Sequence, residues 1–241
     1  MYARGAYTQA GKYEHAAVLF WRYREGDYQE CVMSIRGTTD IRDWVYNLRG
    51  WTNHVGEWKI HAGFHDKITK LMKDDPKTFS ALETHCSVVI MVGHSLGGAM
   101  ASIYAALASR WNVRQVDYLY TFGAPAISKS SPLSGDSGSC LPGARFFNFD
   151  YGIQFDVVTN IAQRFGYKHP MIAGIQLTQH VGQYGEEVYD KVIYNCSDNK
   201  TWDKPTADVD TELELNLAVA GNALKMHKQT LYVERLKNLK L

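Results

Sequence analysis

The run Val88-Val89-Ile90-Met91-Val92 passes without a break into Gly93-His94-Ser95-Leu96-Gly97-Gly98, and an alanine-rich stretch, Ala99 to Arg110, follows at once. Five residues that are apolar on both faces predict a central parallel strand covered by helices on both sides. The stretch 99–110 has no interior Gly or Pro and predicts a helix. So short a link between strand and helix demands a sharp turn. Glycines two residues either side of Ser95 fit that demand, because side chains there would collide. The turn lifts the Ser95 hydroxyl above the sheet. It also sets the Leu96 N–H at a helix N-terminus, where the helix dipole favours a developing oxyanion. G-x-S-x-G alone is a common string; its place between a buried strand and a helix gives it meaning.

The flanking sequence extends the same pattern. Val116 to Phe122 predicts a further strand ending at Gly123-Ala124-Pro125, so strand, helix and strand form a right-handed crossover in a mainly parallel sheet. His15 to Tyr23 and Tyr28 to Ile35 flank Glu25-Gly26-Asp27 and predict a β-hairpin, closed by Arg36-Gly37-Thr38-Thr39. Asp40 to Trp58 carries three of the six tryptophans and two internal glycines, and reads as a short helix followed by a mobile loop. From Phe64 to about His85 the spacing predicts a helix, with Phe64, Ile68, Leu71 and Met72 on one face and an interruption at Pro76. Ser128 to Gly143 is polar and rich in Gly, Ser and Pro, a surface loop, and Arg145 to Phe149 resumes as strand. Asp208 to Leu224 predicts a helix with Leu213, Leu217, Ala220 and Leu224 in register. No internal repeat interrupts this order, and the expectation is one α/β domain over residues 1–241.

With 241 residues, 45% of them apolar, the chain can fill a core of that size. A formal charge of +1 supplies no broad field for nucleic acid or an anionic membrane. The longest unbroken apolar run, Ala16 to Trp21, falls far short of the roughly 20 residues of a membrane-spanning helix. No transmembrane segment and no nucleic-acid partner are expected. Met1 is followed by the polar, glycine-containing Tyr2-Ala3-Arg4-Gly5 with no apolar core of a signal peptide. Cys31, Cys86, Cys140 and Cys196 form no CxxC pair and lack companion histidines at zinc spacing. They read as buried free thiols, which leans towards the cytoplasm. With no metal-ligand cluster and no phosphate-cradling loop, no cofactor is expected.

A serine on such an elbow needs a histidine to take its proton and a carboxylate to hold that histidine's tautomer, in the chain order Ser, acid, His. Of nine histidines, His15, His54, His61, His65 and His85 precede Ser95, and His94 adjoins it and should project away from the hydroxyl. His169, His180 and His227 remain. For the acid, Asp150 and Asp156 both follow the strand at 145–149.

Several blocks together resemble the class 3 lipase family. They are Ile35-Arg36-Gly37-Thr38 with Asp43-Trp44, His61-Ala62-Gly63-Phe64, Gly93 to Ala99, Thr121-Phe122-Gly123-Ala124-Pro125 and His180-Val181-Gly182. They come in the family's order over about residues 14 to 190. The resemblance implies an α/β-hydrolase fold, a Ser/Asp/His triad and hydrolysis of acylglycerols or related acyl esters. It implies His227 as base, since Leu224 to Tyr232 resembles the His and following Tyr that close the family's catalytic region, although the tyrosine comes five residues later here. Asp156 to Ile161 resembles the family's Asp-x-Val-Pro-x-Leu block with Thr159 in place of the proline, which favours Asp156 over Asp150. Thr38 resembles the hydroxyl-bearing second oxyanion donor beside Leu96. The segment 39–58 overlaps the family's lid, with Trp44 as its lipid-facing aromatic and the possibility of transient contact with a lipid surface. The same residues would serve a phospholipase or an acyltransferase; an inactive binding protein of this fold is the reading from another class.

Overall fold

Alternation along the strands sorts side chains onto two faces, and both faces are covered. A computed structural model describes residues 17–23, 28–37, 51–129, 131–148, 156–177, 191–194, 196 and 228–237. Its strands are β1 (Ala17–Tyr23), β2 (Gln29–Ile35), β3 (Thr52–Val55), β4 (Trp58–His61), β5 (Val88–His94), β6 (Tyr118–Phe122), β7 (Gly143–Asn148), β8 (Ala173–Leu177) and β9 (Lys191–Tyr194). Seven of them form one sheet in the order β1-β2-β5-β6-β7-β8-β9. The five from β2 to β8 run parallel, and antiparallel β1 and β9 close the two edges.

The described helices are α1 (Ala62–Asp74), α2 (Pro76–His85), α3 (Leu96–Trp111), α4 (Val157–Ile161) and α5 (Gln229–Lys237). Cys31, Met33, Ile35, Val89, Met91 and Leu119 face the layer of α1, α2 and α3, where Phe64, Ile68, Leu82, Met100 and Leu107 are buried. Val32, Ile90, Val92, Tyr120 and Phe122 point to the opposite face, where Phe146, Leu177 and Tyr232 of α5 pack. A strand covered on both sides is the reason the run at 88–92 shows no polar alternation. Helices α1 and α2 are separate because Pro76 can only begin a helix; Asp75 caps it, its side chain accepting from Thr78 N at 3.3 Å.

Two expectations change. The stretch from Asp40 to Trp58, expected to end in a mobile loop, instead enters a β3–β4 hairpin over 52–61 in which Gly56, at φ +58°, supplies the turn conformation that side chains rarely adopt. Trp58 is buried with the Arg110 guanidinium 4.7 Å above its ring, whereas Trp51 stands 90% exposed. Strands β8 and β9 were not anticipated at all, and the predicted helix at 208–224 lies outside the described residues.

The four cysteines are not free thiols. Cys31 of β2 is bonded to Cys86 after α2, and Cys140 to Cys196 beyond β9, with Cα separations of 5.6 and 5.8 Å. Spacing alone could not pair them, because each bridge joins partners 55 or 56 residues apart that only the folded sheet brings together. A loop of that length makes each bridge worth about 4 kcal/mol on the chain-entropy account. Cys31→Ser/Cys86→Ser should therefore lower Tm by roughly 10 °C, checked by calorimetry. A melt unchanged in the double mutant would show the bridge to be energetically idle.

Candidate active site

Ser95 sits between β5 and α3 at φ +58°, ψ −128°, a backbone region that non-glycine residues rarely enter. The elbow holds that conformation by enclosure. Ser95 N–H donates to Phe122 O at the end of β6 (2.9 Å), and Ser95 O accepts from Gly98 N (2.9 Å). A Cβ on Gly93 would overlap the Gly97 carbonyl. One on Gly97 would overlap the Ile35 carbonyl oxygen, and one on Gly98 would come within 2.7 Å of Ala124 Cβ. The first turn of α3 is thus wedged between the end of β2 and the strand that precedes it. Ser95 is buried, and its Oγ meets no hydrogen-bond partner among the described residues. Leu96, first in α3, has an N–H with no acceptor within the helix, free to face a ligand oxygen.

Asp156 immediately precedes α4, eight residues past the end of β7, and is wholly buried. Its N–H donates to Asn148 O, the last residue of β7, at 3.0 Å. Its Oδ1 accepts from Val158 N at 2.9 Å and its Oδ2 from the Tyr232 hydroxyl at 2.5 Å. Thr159 donates both its N–H (3.2 Å) and its hydroxyl (2.7 Å) to the Asp156 carbonyl. A proline there could make neither bond, which gives the departure from the family block a local compensation.

Tyr232 reaches this point from α5 on the far side of the sequence. Its Oη donates to Asp156 and accepts from Asn148 N at 3.1 Å. Burial, then the Asp156 charge and hydrogen bond, push the phenol well above its ordinary pKa of 10.0, so it remains a neutral donor. Its ring meets His94, the neighbour of Ser95, edge-on at 5.7 Å. The residue that spacing showed only as a displaced tyrosine is therefore the second donor to the Asp156 carboxylate. The sequence signal was slight: a tyrosine on the apolar side of a short C-terminal helix.

The remaining candidates divide cleanly. His94 is buried on the Tyr232 face. His169, which precedes Pro170, is buried beside Arg145. Thr38, Trp44, Asp150, His180 and His227 lie outside the described residues; Gly37, which precedes Thr38, borders the space beside Gly97. Helix α5 begins two residues beyond His227.

Residues 32–134 match the family model described as lipase (class 3). A secreted mono- and diacylglycerol lipase of Fusarium solani is 31% identical over 104 residues, which are 41% of this chain and 31% of that protein. The matched stretch thus spans about a third of that relative's length. Among solved structures, a lipase from Rhizopus microsporus var. chinensis superposes with a TM-score of 0.51 at 26% identity, covering 67% of this chain and 56% of that one. The Lip2 lipase from Yarrowia lipolytica gives 0.50 at 16% identity, covering 89% and 80%. With its mainly parallel sheet and covering helices, the chain has the α/β-hydrolase fold. The Fusarium relative is secreted, and with both disulfides in place the lean towards the cytoplasm does not stand.

Proposed function

We propose that this chain, whose residues 32–134 match the class 3 lipase family model, is a serine carboxylic-ester hydrolase acting on acylglycerols or related acyl esters. Ser95 Oγ attacks the ester carbonyl while His227 takes its proton, and Asp156 holds the His227 ring in the tautomer that can accept it. The tetrahedral oxyanion is met by the Leu96 N–H and by Thr38. Collapse releases the alcohol, protonated by His227, and leaves an acyl group on Ser95. Water, activated by the same histidine, then frees the carboxylic acid and restores the serine. The observation that carries this reading is the enclosed elbow, which keeps Ser95 at φ +58° beside a helix N–H that has no acceptor within the helix. A backbone conformation that costs of order 1–3 kcal/mol is kept where function uses it.

Tyr232 supports the assignment of the acid and the base together. A carboxylate already gripped by Val158 N and Tyr232 has its oxygens fixed in direction, and α5, which supplies the grip, starts just after His227. Trp44 belongs in the lid on its position after Thr38, and Trp51, seven residues further along the chain, is exposed. Among the described residues no helix is long and apolar enough to cross a membrane, so contact with lipid would rest on such side chains. An oxidising, extracytoplasmic setting suits both disulfides.

Asp156→Asn and Asp150→Asn separate the two acids. Turnover of a nitrophenyl ester should fall by about 10³-fold or more in Asp156→Asn, because the amide favours the wrong histidine tautomer. Asp150→Asn should retain most activity; the reverse ranking would transfer the role to Asp150.

A further inference from the structure

A second buried polar group lies behind the acid, unused by the reaction described. Arg145 of β7 is 2% exposed, its guanidinium 4.9 Å above the Phe147 ring. His169, 3% exposed, places Nε2 2.8 Å from the Thr159 carbonyl and 3.2 Å from Arg145 Nη1. A carbonyl oxygen can only accept, so the shorter contact requires a proton on Nε2. Nδ1, buried with no hydrogen-bond partner among the described residues, then carries the lone pair, which is cheaper to leave unmet than an N–H. A second ring proton is opposed by burial and by the Arg145 cation, with the Thr159 bond pulling weakly the other way. His169 is therefore a fixed, neutral donor.

Its acceptor is the residue that shapes the acid's turn. Thr159 takes the imidazole N–H on its carbonyl and gives its own hydroxyl and N–H to the Asp156 carbonyl. The same strand supplies both supports: Arg145 stands beside His169, and Asn148, three residues on, receives the Asp156 N–H. We propose that His169, packed beside Arg145, is a positioning residue for the acid, holding the 156–159 turn from behind while Tyr232 and Val158 grip the carboxylate from in front. This rests on the Ser95–Asp156–His227 reading. The role needs one N–H at the reach of Nε2, which glutamine supplies and leucine does not.

The test uses the full chain with disulfides intact, assayed on a soluble nitrophenyl ester with calorimetry alongside. His169→Leu should lower kcat by about 10 to 100-fold with KM within about twofold, the range expected when a catalytic group drifts by a fraction of an ångström to an ångström. His169→Gln should restore kcat to within about threefold of the native chain. A purely structural role would lower Tm in both variants and leave kcat alone. If His169→Leu does not fold, the pair His169→Gln and His169→Asn decides, since asparagine is too short to reach Thr159: equal kcat in the two overturns the inference. So does a folded His169→Leu with native kcat. When native protein carries a fluorophosphonate label on Ser95 and these variants are unaffected, only the positioning role fails. Absence of Ser95 labelling in native protein sinks the triad reading and this inference with it.

Discussion

Ser95→Ala should abolish covalent labelling by a fluorophosphonate and lower ester turnover by at least about 10³-fold, leaving only the contribution of oxyanion donors and binding. Other serines near the elbow make fair controls. Ser102 Oγ is committed to the Gly98 carbonyl inside α3, and Ser87 Oγ accepts from Gln29 N at the opposite end of β5. Neither occupies a strained turn, and alanine at either should leave labelling intact. His227→Ala should cost nearly as much as Ser95→Ala, and the double variant little more, because members of one proton relay act as a unit. Losses that multiply would place the base elsewhere, and persistent labelling of Ser95→Ala would end its candidacy as nucleophile.

Gly97→Ala places a methyl group where the elbow has no room for one. The added carbon would overlap the Ile35 carbonyl oxygen and crowd Arg36 C at 2.8 Å and Gly37 N at 2.9 Å, all backbone atoms with no rotamer to turn aside. Relief requires α3 to move away from β2, against a register fixed by the Ile35–Gly93 pairing. The cost should be about 3 kcal/mol or more, a large share of the stability of an ordinary domain. Activity should fall further than stability, since displacing the Leu96 N–H by about 1 Å is worth roughly 10²-fold in rate. A Gly97→Ala variant with native Tm and kcat would mean that the elbow is far more pliant than its contacts allow. At Gly138 a Cβ would meet nothing within 4 Å, so only its φ of +76° would oppose alanine there.

The elbow was legible because its determinants are contiguous: an apolar run, three glycines and an alanine-rich helix fall within 23 residues of chain, 88–110. The β1–β2 hairpin and the break at Pro76 were legible for the same reason. The hairpin at 52–61 was not, since Trp58 resembles any other tryptophan of a lid until Arg110 is seen stacked on it. Strand β8 reads Ala-Gly-Ile-Gln-Leu, a poor strand by propensity that holds its place by pairing with β7. The disulfides, the Tyr232 hydroxyl on Asp156 and the His169 contact with Thr159 all join residues distant in sequence or fixed by a turn. No periodicity encodes such meetings. Asp156 itself was reached through the apolar residues after it, Val158 and Ile161, which the structure buries in the main core.

The Tyr232–Asp156 bond also sets an order in time. Strands β5 and β6 and helix α3 lie close in sequence, so the nucleophile's turn can form as soon as that crossover collapses. The acid waits for a contact 76 residues away, whose closure adds about 0.6 kcal/mol of entropic cost for every doubling of loop length. A refolding chain is therefore expected to form the β5–α3–β6 crossover before the Tyr232–Asp156 contact. If the proposed triad holds, ester hydrolysis should appear only after α5 has docked and Tyr232 has reached Asp156.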